Sequence, residues 1–457
     1  MVAAACAPRV KLDPPRSDVP ASFRGSAVPG GTVGLRDNEW PSLEWWTVFE
    51  DPALEAVIEE AVATNRSLEI AARQVEVARA GALGARAPLF PQVTLAPGVS
   101  WQRTSENGPV APASRGQLTD SYAVPLTLSY ELDFWGKNKL AFQSAQSLAL
   151  ATEADWRTLE IEIVAAVAST YFGIVTTLAE IHVAEQTLAS YQSYLNLLQR
   201  RLEAGAASEL EVQRIRAQIS LTEAIIPGLR LRAQELQHRL AVLVGRNPGE
   251  AVVVRPLEAT RAPIELPGGV PSGLLQRRPD IRAQQDRLQA SAARVGVARA
   301  LYFPSFTIDL AAGASSVAAK TLFFPESFAM DLLAQAAAPI FRGGALDANL
   351  DANVAAYRQA VAAYEQSILV AVQETQDAIS QIQELTAQRD QLRRAVAEEE
   401  RAFRLVNRAF EGGVSSYLEV LDVERSLLAD RASLTVVEGR RLVAMVSLFK
   451  SLGGGWQ

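Results

Sequence analysis

Two histidines, His182 and His238, and one cysteine, Cys6, are the whole stock of imidazole and thiol side chains. A Cys/His zinc site needs more ligands than this, and a Ser-His or Cys-His pair needs an imidazole beside its nucleophile. The two histidines fall on separate helical stretches and form no constellation, so both read as bundle-face residues and the chain is not expected to be an enzyme. Carboxylates are plentiful, and an all-carboxylate site stays open. Glu419 and Asp422 stand at i, i+3 spacing on one helix face. Cys6 ends "VAAAC", small residues before a cysteine, as bacterial lipoprotein processing requires; no charged or apolar lead segment precedes it. A lone cysteine forms no internal disulfide and leaves the compartment open.

Other bounds come from composition. The 457 residues allow two or three domains, or one with an internal repeat. At 49% hydrophobic and 21% charged, the chain is not disordered as a whole. A net charge of −7 argues against a nucleic-acid partner, because phosphate binding needs a surplus of Lys and Arg.

The elements that carry these residues repeat. "RLEAGAASELEV" at 201–212 returns without a gap as "AFEGGVSSYLEV" at 409–420. "ARAPLFPQV" and "ARALYFPSF" match likewise, and "FRGG" at 341–344 stands where "FWGK" stands at 134–137. The plan is a tandem duplication: residues 1–50 an extended or anchoring segment, 51–250 the first repeat, 251–272 a linker and 273–457 the second repeat. Each repeat reads as helix, strand, strand, long helix, turn, helix. Asp51-Pro52 supplies an N-cap and a proline at the first helical position, and that helix should run to about Ala87. The long stretches 136–245 and 343–452 are helical hairpins with a first arm on the order of 100 Å at 1.5 Å per residue. The repeated phrase is the turn at each hairpin's tip, where glycine reverses the backbone and Ser208 and Ser416 can cap the returning helix. Residues 163–179 lack charge, but their 3, 4, 3, 4 spacing is a coiled-coil seam, so the stretch reads as a packed helix and not a membrane span.

At 92–134 and 304–341 the period changes to two. Tyr122, Val124, Leu126, Leu128, Tyr130 and Leu132 alternate with Ser121, Ala123, Pro125, Thr127, Ser129 and Glu131. A large apolar face with aromatics at its ends, opposite a small polar one, suits a transmembrane barrel strand; a half-buried soluble hairpin has the same pattern. If the strands lie in lipid, four per chain cannot close a barrel, since an open edge leaves backbone groups unpaired. Two copies would give 8 strands and three would give 12.

The order "WWTVFEDPALEAVIEEAVATN", "YELDFWGK", "RRPDIRAQQ", "LYFPSF", "LGGGW" resembles the outer-membrane factors of tripartite efflux and type I secretion systems, the TolC/OprM group, over essentially the whole chain. It is most similar to the NodT-type lipoprotein branch that works with RND transporters. The resemblance implies a mainly α fold with a small transmembrane β part: a homotrimer with a 12-stranded β-barrel in the outer membrane joined to a periplasmic α-barrel tunnel. It also implies a lipid on Cys6 and no other cofactor. The expected partners are outer-membrane lipid, a periplasmic adaptor and an inner-membrane RND transporter. Adaptor contacts would fall on Gly205, Ala206 and Ser208 in one tip and Gly413, Val414 and Ser416 in the other. Glu419 and Asp422 would ring the periplasmic aperture, with Glu211 as a latch acid. The family's basic latch residue is replaced here by Ser415, with Arg408, Arg214 and Arg216 as possible substitutes. The expected activity is passive exit of drugs or small solutes; protein or peptide secretion, or a pore-free coiled-coil scaffold, are the alternatives.

Overall fold

The computed structural model describes residues 12, 14–15, 44–109, 115–250, 252–257 and 278–454. Cys6, most of the N-terminal segment and most of the 251–272 linker lie outside them. The described elements are α1 (Pro52–Thr64), α2 (Arg66–Arg86), β1 (Gln92–Leu95), β2 (Gly98–Arg103), β3 (Leu118–Leu132), α3 (Lys137–Glu203), α4 (Glu209–Leu243), α5 (Pro279–Ala300), β4 (Ser305–Ser316), β5 (Phe328–Ala337), α6 (Ala345–Glu411) and α7 (Tyr417–Ser451). The fold is mainly helical with one small sheet. The two long helices have 67 residues each and their returning partners 35 each. Two compact units result, and each draws on both halves of the sequence.

One unit comprises residues 1–16, 74–153 and 283–365 and contains the sheet. The strands run antiparallel in the order β1–β3–β4–β5, with β2 also on β3. Leu95 pairs with Leu126 and Gly98 with Ala123, so β1 and β2 form one strand track in constant register. The track is interrupted where Pro97 has no N–H to give. β3 is an inner strand yet contains Pro125, opposite Gly313 of β4. A Cβ on Gly313 would lie 2.2 Å from the Val124 carbonyl oxygen, so only glycine fits there. Below the sheet the repeat motifs clasp each other. Trp135 stacks on Phe303 at 4.6 Å and its Nε1 donates to the Pro304 carbonyl at 2.7 Å. Leu288, Val295 and Ala298 of α5 pack on Leu350 and Tyr357 of α6.

The second unit comprises residues 17–73, 154–282 and 366–457. Asp51 caps α1 as expected, its Oδ1 accepting from the Ala53 and Leu54 amides. The expected single helix to Ala87 is interrupted at Asn65. Its Oδ1 caps α2 through the Ser67 and Leu68 amides, while its Nδ2 donates to Leu243 at the end of α4. One side chain thus satisfies orphan groups at two helix ends. The apolar stretch of α3 is long and apolar enough to cross a membrane, but most of it is buried. The stretch is packed, as expected, and burial reaches beyond the 3, 4 spaced positions: Val167, Ala168, Phe172, Ile174 and Val175 are all buried, while Leu178 is exposed. The neighbours responsible come from several segments. Phe49 meets Phe172, Trp45 stacks on Phe449, and the Tyr171 hydroxyl donates to Asp51 and accepts from the Arg255 amide. Gly439 of α7 sits so close to Thr176 that a Cβ would lie 2.0 Å from its hydroxyl. Arg278 of "RRPDIR" is buried between Asp280, Glu374 and the Ser451 carbonyl.

Candidate functional site

The sheet has two chemically distinct faces. Across one run Val93, Leu128, Leu310 and Leu332 in one row and Leu95, Leu126, Ala312 and Met330 in the next. Across the other, Thr94, Thr127, Ala311 and Asp331 share a row, and the Ser129 hydroxyl donates to Asp309 at 2.6 Å. Both edges are unpaired among the described residues: β1/β2 on one side and β5, exposed along its length, on the other. Neighbouring strands are antiparallel throughout, so β5 and β1/β2 run in opposite directions and copies set side by side would alternate without a break. Leu95, Trp101, Phe328, Met330 and Leu332 are exposed large apolar side chains on the apolar face. In water such a face is a liability, whereas in lipid it is at home.

The tips are built alike. After α3, Gly205 at φ 71° and Ala206 return their amides to Leu202 and Arg201; after α6, Gly413 at φ 74° and Val414 return theirs to Phe410 and Ala409. Both are glycine-terminated helix ends with the left-handed residue that glycine adopts at least cost. Ser208 then caps α4 in a reciprocal box with Glu211, whose carboxylate accepts from the Ser208 amide at 2.7 Å. Ser416 occupies the matching position but makes no side-chain cap. Instead the Ser415 hydroxyl bonds the Glu419 carboxylate. Gly205, Ala206, Ser208, Gly413, Val414 and Ser416 are all exposed. Beneath them Tyr191, Leu198, Val212, Ile215, Phe410, Tyr417 and Val420 close an apolar core that fixes both turns.

Glu419 and Asp422 are both exposed on α7. Glu211 is engaged by its own helix N-terminus. Arg408, Arg214 and Arg216 are exposed. His182 on α3 and His238 on α4 are exposed, and His182 contacts Gln186. Sequence reasoning missed Glu424. It lies two residues past Asp422, is buried on α7, and accepts from the Ser190 hydroxyl of α3 at 2.6 Å. Burial holds its carboxyl at about 7, with the Ser190 bond opposing. An acid amid charged helix residues reads as solvated, so only its three-residue spacing from the buried Leu421 and Leu427 hinted otherwise.

Comparison with known proteins gives concordant results. The family model described as "Outer membrane efflux protein" matches residues 57–246 and again 270–454. Among curated relatives, the pyoverdine export outer membrane protein OpmQ of Pseudomonas aeruginosa is 34% identical over 421 residues, covering 91% of this chain and 88% of that one. The cation efflux system protein CusC of Escherichia coli is 31% identical over 444 residues, covering 97% and 94%. The solved structure of the outer-membrane channel OprN superposes with a TM-score of 0.91 at 27% identity, over 98% of this chain and 99% of that one.

Proposed function

The chain belongs to the outer membrane efflux protein family, and from that premise we propose that three copies close their sheets into one 12-stranded barrel. It is an outer-membrane efflux channel. The observation that carries closure between copies is the sheet itself, with its apolar rows and two oppositely directed edges unpaired among the described residues; the number three follows the family likeness. Unpaired edge groups in lipid cost several kcal/mol each, so closure between copies is the state such a sheet favours. The apolar rows then face lipid, and the Thr94, Thr127, Asp309 and Asp331 side faces the water-filled path.

In this arrangement the 67-residue helices run from the membrane toward the inner membrane as a tunnel whose length, on the order of 100 Å, suits an aqueous compartment. Glu419 and Asp422 then contribute three carboxylates each around one axis, an acidic constriction that draws cations and resists collapse. The exposed small residues Gly205, Ala206, Ser208, Gly413, Val414 and Ser416 admit a partner helix close to the backbone, as a periplasmic adaptor hairpin requires. The energy comes from an inner-membrane RND transporter, and Cys6 carries the lipid anchor. The cargo is small solutes, since the relatives' names span pyoverdine export and cation efflux. Deleting the gene should sensitise cells to the cargo, and the wild-type chain should restore resistance. Restoration by a chain that never reaches the outer membrane would overturn the duct.

A further inference from the structure

We propose that Glu424 positions the aperture helix according to its protonation: neutral, it seats α7 on α3, and ionised, it loosens that seat beside Glu419 and Asp422. The inference rests on the duct reading above and adds a control to it. Its basis is a cluster of buried polar atoms. Glu424 is 6% exposed, and its Oε1 accepts one hydrogen bond, from Ser190. Its Oε2 is buried without a partner, and so are the hydroxyl oxygens of Tyr191 and Tyr417 in the same core. A buried carboxylate requires two or three donors, whereas a neutral carboxyl is content with fewer. The site therefore fits the protonated acid, and ionisation drives α7 to shift until water reaches Oε2.

The surroundings offer little to hold the charge. Ser190 of α3 is the bonded partner of Glu424, whose charge acts on Tyr191 and Tyr194 of α3. The core holding Tyr191 is otherwise apolar, with Val212 and Ile215 of α4 and Phe410 of α6, while Asn407 of α6 accepts from the Tyr194 hydroxyl. On α7 itself Tyr417 lies within the core, and Arg425 acts on Tyr191. Glu411 adds negative charge at Tyr194. The sign follows: a carboxyl raised from 4.5 to about 7 keeps the seat at full strength below its ordinary range, and the seat weakens as pH rises through about 7. In the first repeat the matching position is the exposed Arg216, so the first tip has no counterpart.

Single-channel recording in planar bilayers at about pH 6 and about pH 8 reads the device. Wild type should spend on the order of tenfold more time open at the higher pH, while Glu424→Gln should change less than about twofold and stay mostly closed. Ser190→Ala should move the step to higher pH, because the lost hydroxyl stabilises the charged form. The same rise in Glu424→Gln as in wild type overturns the proposal. Hydrogen exchange over residues 417–427, corrected for intrinsic rates, should accelerate across this step in wild type and not in Glu424→Gln. Equal protection in both overturns it too. Absence of conductance in every preparation would sink the duct reading, and the exchange measurement would still decide on Glu424.

Discussion

Gly313→Ala tests whether the seam between the two hairpins holds the sheet. The glycine faces Pro125, which has no N–H for the ladder, and the strands close in until the added methyl would lie 2.2 Å from the Val124 carbonyl oxygen and 2.9 Å from the Pro125 Cα. Real Cβ contacts seldom fall below about 3.4 Å, so the seam must open by about 1 Å, and backbone atoms cannot swing aside as a side chain does. Overpacking of this kind costs about 1–3 kcal/mol per chain, and in the proposed three-chain barrel it would add up to about 3–9 kcal/mol per assembly. The assay is the temperature at which the oligomer in outer-membrane extracts dissociates in detergent. Gly313→Ala should dissociate several degrees lower. Equal dissociation temperatures for Gly313→Ala and wild type would refute the seam argument.

Three further outcomes are expected. Glu419→Ala with Asp422→Ala should raise conductance in planar bilayers and weaken block by divalent cations, and unchanged values would remove these acids from the aperture. Ser208→Ala should cost about 1 kcal/mol at the start of α4, seen as faster hydrogen exchange over 209–212, while Ser416→Ala leaves α7 unchanged because Ser416 makes no cap. Cys6→Ser should abolish incorporation of labelled fatty acid, and retained label would place any lipid elsewhere.

Much of the plan was legible because it is written in periods. The alternation from Ser121 to Leu132 became β3, and the repeated glycine phrase became two turns with the same backbone geometry. Asp51-Pro52 capped a helix as its chemistry demands. What escaped were features set by partners distant in sequence. Asn65 breaks a helix because the end of α4 lies beside it. The apolar stretch of α3 is buried on several faces because residues 45–51, 252–257 and 439 converge on it. Burial of Glu424 and Arg278 depends on neighbours brought by other helices, and a helix-period reading sees such residues only as polar. At the tips the glycines were readable, while Ser208 caps its helix and Ser416 does not, a difference the shared sequence phrase does not show.

Native mass spectrometry of the protein extracted from outer membranes examines the foundation most directly. Strand edges that want neighbours and the proposed three-chain barrel together predict a released species of three times the 49.3 kDa chain, plus any lipid, that forms conducting channels. A water-soluble species of one chain mass, stable without detergent, would contradict it.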